Sequence, residues 1–125
     1  QKKGKETLGI ELNPFSVKLA KKNSIANGLK PAFKTAKVED EIGKELSNGY
    51  DAILLNPPRE GALKEVMDAI RTSKTKKILY VSCMPSTLAR DLSIIKSAYK
   101  ITKVKAFDMF PQTAHIETFV ELIAN

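Results

Sequence analysis

The sequence is poor in cysteine and histidine, with one of each, Cys83 and His115, among 125 residues. One cysteine excludes an internal disulfide bond, and it excludes a zinc or iron–sulfur site built from several cysteine ligands of this chain. We therefore predict no metal site. Since structural disulfides are typical of oxidising compartments, their absence favours a reducing, cytoplasmic setting.

Long hydrophobic runs are also missing. No apolar run approaches the roughly 18–20 residues that cross a membrane, and the chain does not open with a signal-peptide pattern. We therefore expect no membrane partner. Hydrophobic residues still make up 42% of the chain, which is enough for one packed core, and the length favours a single domain over residues 1–125.

The charge is unbalanced in favour of lysine. A formal net charge of +7 and a pI near 9.5 favour a polyanionic partner such as RNA. Lysines cluster at 2–5 and 74–77, and no arginine-rich run occurs. From charge alone, a solvated lysine surface is an equally good interpretation.

Strand and helix patterns alternate along the chain, after a polar stretch from Gln1 to Thr7 that predicts a frayed, disordered end. We predict strands at 8–11, 32–36, 51–55, 78–81, 101–108 and 115–123. Helices are predicted from the capping residue Asn13 to Gly28, at 39–46, and along the apolar faces Leu63, Val66, Met67, Ile70 and Leu88, Leu92, Ile95. Alternation predicts a parallel α/β sheet, and the two final strands predict an antiparallel hairpin at its edge.

Cys83 follows the apolar run Ile78–Val81, whose pattern predicts a strand buried on both faces. Pro85 and the residues after it open the next helix, so the cysteine lies in a strand-to-helix turn. A helix N-terminus favours the thiolate, which is the reactive form of the side chain. The alternative is that Cys83 is a small buried hydrophobic residue without a chemical role.

Turns that follow parallel strands share one edge of the sheet, so we expect Glu11, Asn56 and Cys83 to converge. Glu11 could accept hydrogen bonds from a ribose diol, or could be a solvated carboxylate. Asn56 offers a carboxamide beside two prolines, which stiffen the turn and would equally serve to end the strand. Arg59 could bind a phosphate through two hydrogen bonds, or only solvate the turn.

The last predicted strand opens with His115 and Glu117, which strand alternation places on one side. A carboxylate there could act as a general base. A structural His115 and an exposed Glu117 without a role are the alternatives, and the residues alone favour these.

Two long motifs, 80–91 (YVSCMPSTLARD) and 108–117 (DMFPQTAHIE), resemble the family of S-adenosylmethionine-dependent RNA uracil-5-methyltransferases. The shorter segments 54–61 (LLNPPREG) and 9–11 (GIE) add to a resemblance that runs from Leu8 to the C-terminus. It implies a Rossmann-like class I methyltransferase sheet with helices on both faces. It also implies RNA methylation, with ribosomal or transfer RNA as the substrate and S-adenosylmethionine as the cofactor.

The resemblance also implies roles for the candidate residues. Cys83 matches the nucleophile that adds to uracil C6, and Glu117 matches the base that removes the C5 proton. Glu11 would hold the cofactor ribose, and Asn56 would contribute to the cofactor and base pocket. We assign Arg59 and His115 to substrate binding.

The chain departs from the family pattern at two positions, where the family usually has aspartate in place of Asn56 and asparagine in place of Met84. The glycine-rich first strand that normally precedes Gly9–Glu11 is not found in the sequence. We therefore expect the C-terminal portion of a methyltransferase domain, with an incomplete cofactor site and no activity unaided. A partner copy or a missing N-terminal region would fill the gap between the strands at 8–11 and 51–55.

Two rival functions follow from the same residues. One is an amino-group methyltransferase that uses Asn56, Pro57 and Pro58 as an amide clamp, although Arg59 stands where such enzymes have an aromatic residue. The other is a non-catalytic RNA-binding module that keeps the fold and the basic charge.

Overall fold

The computed structural model describes residues 6–109, 111–113 and 115–125. Strands and helices alternate until the chain ends in two consecutive strands, as the sequence predicts. In chain order the elements are β1 (Leu8–Glu11), α1 (Pro14–Ala26), β2 (Ala32–Thr35), α2 (Val38–Leu46), β3 (Ala52–Leu55), α3 (Lys64–Thr72), β4 (Lys77–Ser82), α4 (Pro85–Ile95), β5 (Tyr99–Phe107) and β6 (Glu117–Ala124).

The chain divides into two compact units, Gln1–Glu41 and Ile42–Asn125. The first contains the parallel pair β1–β2. The second contains a four-stranded sheet in the order β3-β4-β6-β5, in which β3 and β4 are parallel and β6 is antiparallel to both of its neighbours. The predicted antiparallel hairpin at the sheet edge is therefore confirmed. Strand β3 is the other edge of this sheet, and the predicted gap between the strands at 8–11 and 51–55 stays a prediction.

In the first unit, helix α1 begins and ends where its capping residues predict. The Asn13 Oδ1 atom accepts hydrogen bonds from the backbone N–H groups of Phe15 at 2.9 Å and Ser16 at 3.4 Å. Past the end of the helix, Gly28 has a φ of 64°, a left-handed conformation that glycine adopts without strain. Of the polar stretch predicted to be frayed, residues 1–5 lie outside the described residues. The carbonyl of Thr7 already accepts a hydrogen bond from Ala32 N at 2.9 Å, so Thr7 itself is held in place.

The core of the second unit lies on one face of its sheet. Ile78, Tyr80, Val120 and Leu122 alternate onto that face of β4 and β6 and are buried, as are Val66, Met67 and Ile70 on α3 and Leu88 and Ile95 on α4. The Tyr80 hydroxyl donates a hydrogen bond to Asp91, which places α4 on this face. The alternating hydrophobic pattern of the strands thus meets the helical pattern of α3 and α4.

The prediction that β4 is buried on both faces is wrong for this unit. Leu79 and Val81, on the face opposite the core, are half-buried, and Leu54 of the neighbouring strand is 68% exposed. The reason is that α3 and α4 pack on the Tyr80 face. Leu63, predicted to belong to the apolar face of α3, instead precedes the helix as its N-cap residue and is 52% exposed.

No helix in the described part of the chain is both long and apolar enough to span a membrane.

Candidate active site

Three predicted site residues lie at one edge of the four-stranded sheet. Strands β3 and β4 run in parallel with Leu55 opposite Tyr80, and Asn56 directly follows β3. Strand β4 ends at Ser82, and Cys83 is the next residue. Because β6 runs the other way and Ser82 is opposite Thr118, Glu117 occupies the position next to Thr118 on the Cys83 side. The carboxyl end of β4 therefore brings the cysteine and the glutamate to the same place.

Cys83 lies in the strand-to-helix turn that the sequence predicts, and it is half-buried. The turn is closed by Ser82, whose hydroxyl oxygen accepts a hydrogen bond from Met84 N and lies 3.1 Å from the Met84 carbonyl. Met84 is the N-cap residue of α4 and makes no side-chain capping bond. The N-terminal end of the helix, with its partial positive charge, thus begins next to the thiol.

Arg59 and His115 meet at the same edge of the sheet. The Arg59 Nη2 atom lies 3.3 Å from Nε2 and 3.5 Å from Nδ1 of His115, and both side chains are exposed. This contact joins the loop after β3 to the segment before β6. The prediction that His115 begins the last strand is wrong, because β6 begins at Glu117, which pairs with Phe107. Strand alternation therefore does not set the direction of the His115 side chain.

Sequence reasoning assigned no role to the polar residues of α4, yet three of them bind the loop that carries Asn56 and Arg59. The Thr87 hydroxyl lies 3.0 Å from the Arg59 carbonyl and 3.1 Å from the Met84 carbonyl, so its one proton serves either acceptor. Arg90 Nη2 donates to the Glu60 carbonyl at 2.7 Å. Asp91 accepts a hydrogen bond from Ala62 N at 2.7 Å.

Asp91 is completely buried and has a full set of donors. Its Oδ2 atom accepts from Tyr80 as well as from Ala62 N, and its Oδ1 atom accepts from Arg90 Nε at 3.0 Å and Nη2 at 2.7 Å. The pKa of the Tyr80 phenol is raised well above its ordinary value. Burial is the larger cause, and the hydrogen bond to the Asp91 carboxylate is the second. The sequence signal that could have indicated this buried site is the spacing of Asp91, which follows Leu88 by three residues and so lies on the apolar face of α4.

Glu11 ends β1 in the first unit, and it is exposed. One carboxylate oxygen accepts the backbone N–H of Asn13 at 2.7 Å, which holds the side chain at the strand end. The expectation that Glu11 converges with Asn56 and Cys83 stays a prediction. The Asn56 carboxamide is exposed and makes no hydrogen bond within the described part of the chain. A carboxylate and a carboxamide are suitable groups for the hydroxyls and ring nitrogens of a nucleoside.

The sequence model of one protein family, described as tRNA (uracil-5-)-methyltransferase, matches residues 8–125. An uncharacterized RNA methyltransferase of Listeria monocytogenes is 40% identical over 123 residues, which is 96% of this chain and 27% of that protein. One from Thermosynechococcus vestitus is 42% identical over 123 residues, with the same coverage of both proteins. The chain thus spans about a quarter of the length of these relatives.

Solved structures show the same fold. The Pyrococcus abyssi tRNA (uracil-54, C5)-methyltransferase, in complex with S-adenosyl-L-homocysteine, is 31% identical with a TM-score of 0.86, over 98% of this chain and 29% of that one. An rRNA methylase of Streptococcus thermophilus is 8% identical with a TM-score of 0.71, over 95% of this chain and 73% of that one. These similarities confirm the predicted fold class, a Rossmann-like α/β methyltransferase sheet.

Proposed function

The chain belongs to the tRNA (uracil-5-)-methyltransferase family, and from this premise we propose that it carries the nucleophile and the base for methylation of uridine C5 in structured RNA. Cys83 is the nucleophile and Glu117 is the base. The observation that carries the proposal is the antiparallel pairing of Ser82 with Thr118. Cys83 follows Ser82 and Glu117 precedes Thr118, so both residues lie at one edge of the sheet. No other cysteine in the sequence could supply the thiolate.

The chemistry explains why these two residue types are needed. Uracil C5 is a poor nucleophile until the Cys83 thiolate adds to C6, because the addition moves the C5–C6 π electrons toward O4 as an enolate. S-adenosylmethionine, when bound, supplies the electrophilic methyl group. After C5 is methylated, Glu117 accepts the C5 proton, the C5–C6 double bond forms again and the C6–S bond breaks. The thiolate is then free for another cycle.

The helix that starts beside Cys83 supports this role. Helix α4 begins at Pro85, two residues after Cys83, so the N-terminal end of the helix, with its partial positive charge, lies next to the residue that carries the thiol. Cys83 is only half-buried, so the residue is not sealed inside the core, and a uracil ring could approach it. Glu117 is likewise half-buried and makes no side-chain hydrogen bond within the described residues, so its carboxylate has acceptor capacity for a proton.

For substrate binding we propose Arg59 and His115. Both are exposed at the edge that carries the cysteine, and their contact brings a guanidinium and an imidazole together where RNA would approach. A guanidinium binds phosphate through two parallel hydrogen bonds. The net charge of +7 adds a general attraction to a polyanion. Ribosomal or transfer RNA in the cytoplasm is the substrate class that we propose.

For the cofactor we propose Glu11 at the ribose and Asn56 beside the base. The carboxylate of Glu11 is oriented by Asn13 N at the end of a strand, which is the position of ribose-binding acids in dinucleotide folds. Because the chain spans about a quarter of its relatives, we propose that the 125 residues alone bind S-adenosylmethionine more weakly than micromolar. Isothermal titration calorimetry on this chain tests that part, and micromolar binding would overturn it.

The central test is capture of the covalent adduct with RNA that contains 5-fluorouridine, using the complete gene product that contains this chain. Fluorine at C5 cannot leave as a proton does, so the cysteine–RNA bond persists and shifts the protein on a denaturing gel. We expect the adduct with the wild type and S-adenosylmethionine, and none with Cys83→Ala. An adduct that survives Cys83→Ala, or salt-dependent RNA binding without any adduct, would reject the proposal, and the second result would favour an RNA-binding module.

A further inference from the structure

We propose that Thr87, Arg90 and Asp91 are positioning residues that hold the loop 56–63 in its working conformation beside Cys83. The inference rests on the proposed function, because it is the Cys83 reaction that the loop would serve. The three side chains lie within about one turn of α4, at the i, i+3 and i+4 spacing that places residues on one side of a helix. We call them the α4 clamp.

The clamp grips the backbone of the loop and not its side chains. Thr87 reaches the carbonyl of Arg59, Arg90 the carbonyl of Glu60, and Asp91 the N–H of Ala62. Bonds to successive peptide groups fix the path of the chain while leaving the Arg59 side chain free to turn outward, where it meets His115. This is the arrangement expected when a loop must present its side chains to a ligand from a rigid base.

A completely buried carboxylate is costly to desolvate, so its position needs a reason. Asp91 is 0% exposed, and its charge is compensated by Arg90 and by hydrogen bonds from Tyr80 and Ala62 N. An apolar residue at this site would fill the space with less desolvation cost, but it could not bind a loop N–H and an arginine at the same time. The charge is therefore explained by the attachment of the loop to the helix.

Gly61 shows how closely the loop approaches the clamp. A Cβ atom on Gly61 would lie 2.6 Å from Arg90 Nη2, 2.6 Å from Asp91 Oδ2 and 3.2 Å from Thr87 Cβ. All three clamp residues would contact a side chain at this one position, and the glycine has a φ of 81°. The loop backbone therefore packs directly on the polar side of α4, and glycine is the residue that permits the contact.

The clamp links the loop to the helix that starts next to the nucleophile. Cys83 and Met84 lead directly into α4, so a loop fixed to α4 keeps a constant relation to the thiol. Reacting groups lose rate steeply when they are displaced by about 1 Å. The α4 clamp would keep Arg59, and the RNA group that it binds, at a constant distance from Cys83 through each catalytic cycle.

The structural test uses the 125-residue chain, in which His115 is the only histidine. Its imidazole signals in proton–carbon NMR spectra report the Arg59 contact directly. We expect Thr87→Val, which removes one hydroxyl at nearly constant volume, to shift these signals, and Thr87→Ser to restore them. The matched control is Thr72→Val, because the Thr72 hydroxyl bonds only to the carbonyls of its own helix α3. Unchanged His115 signals in Thr87→Val would overturn the proposal.

The functional test uses the complete gene product and separates kcat from KM. We expect Thr87→Val to lower kcat for RNA methylation about tenfold at an unchanged thermal midpoint, and Thr87→Ser to recover the rate. A lower thermal midpoint with an unchanged kcat would mean that the clamp is merely structural, and would overturn the inference. If the wild type does not methylate RNA at all, the proposed function fails by itself, and the His115 signals alone decide whether the clamp positions the loop.

Discussion

Ser82 and Thr118 form the last antiparallel pair between β4 and β6. Cys83 follows Ser82 and Glu117 precedes Thr118, so the two residues are side by side at the end of this pair of strands. One residue lies just beyond β4 and the other opens β6. A pair of strands thus fixes the proposed nucleophile and the proposed base relative to one another. The proposed mechanism uses them in that order, because the thiolate must add before the proton can leave.

The first prediction concerns the Glu117→Gln variant of the complete gene product. The amide cannot accept the C5 proton, so the methylated RNA should remain attached to Cys83 and turnover should fall by about 10²–10⁴-fold. The measurement is a denaturing gel with ordinary uridine RNA and S-adenosylmethionine, on which the variant should give a stable protein–RNA band.

The matched control for this variant is Glu121→Gln, the same change on the same strand. Glu121 pairs with Lys77, and it lies four residues along β6 from Glu117, opposite Leu79 of β4. It should leave turnover unchanged and give no stable band. Full turnover by Glu117→Gln would show that another group removes the proton.

Gly61→Ala should both destabilise the second unit and disturb the α4 clamp. The new Cβ would lie 2.6 Å from Arg90 and Asp91 atoms, and alanine at a φ of 81° is strained by about 1–3 kcal/mol. Gly49→Ala separates the two causes, because Gly49 also has a φ of 81° but has no atom within 4 Å of the added Cβ. Chemical denaturation should show a larger loss for Gly61→Ala, and only this variant should shift the His115 NMR signals. Equal losses would show that the clamp yields to the extra methyl group.

Strand ends are the part of the site that the sequence could predict. Apolar runs locate β3 and β4, and the polar residues that follow them, Asn56 and Cys83, must then share one edge of a parallel sheet. Local chemistry was equally informative for α1, where Asn13 and Gly28 mark both ends. These predictions succeed because they depend on neighbours in sequence.

Contacts between loops could not be predicted in the same way. Arg59 and His115 are 56 residues apart, and neither lies in a regular element whose period would orient its side chain. The burial of Asp91 depends on Tyr80, Arg90 and a loop N–H together, and charge alone would place an aspartate at the surface. The prediction that β4 is buried on both faces was wrong. An apolar run shows that a strand can be buried, but it does not show whether helices of the same unit pack on one face of the strand or on both.

Tyr80→Phe should destabilise the second unit by about 1.5–3 kcal/mol, since it removes a buried hydrogen bond to a charged carboxylate. Tyr99→Phe is the comparison, because the partners of the Tyr99 hydroxyl are all neutral: the Thr75 carbonyl at 2.9 Å, the Ile70 carbonyl at 3.3 Å and the Ser73 hydroxyl at 3.1 Å. This hydroxyl should contribute about 1 kcal/mol. Urea denaturation of the two variants at neutral pH measures the difference. Equal losses would show that the charge on Asp91 adds nothing to the bond.

Tyr80→Phe should also remove a part of the protein's stability that depends on pH in the alkaline range. Burial and the Asp91 carboxylate raise the pKa of Tyr80, so the folded protein holds this proton more tightly than the unfolded chain. Its contribution is fully present below the ordinary tyrosine pKa of about 10 and is lost as the pH rises above that value. The difference in unfolding free energy between wild type and Tyr80→Phe should therefore shrink above about pH 10. A constant difference would contradict the link.

Glu121 should make the stability of the folded protein fall more steeply as the pH is lowered below neutral. Lys77, whose Nζ atom lies 3.2 Å from the Glu121 carboxylate, and then the Thr102 hydroxyl lower the pKa of Glu121. A lowered pKa means that the folded state binds the proton less well, so the stabilisation is present above the unfolded pKa of about 4.3 and is lost as the pH falls through the folded value. Thermal midpoints of wild type and Glu121→Gln should thus differ at about pH 6 and converge toward about pH 3. Asp68→Asn, at a carboxylate whose pKa is lowered by Lys64 and Arg71, should behave alike, and parallel curves for either variant would contradict this account.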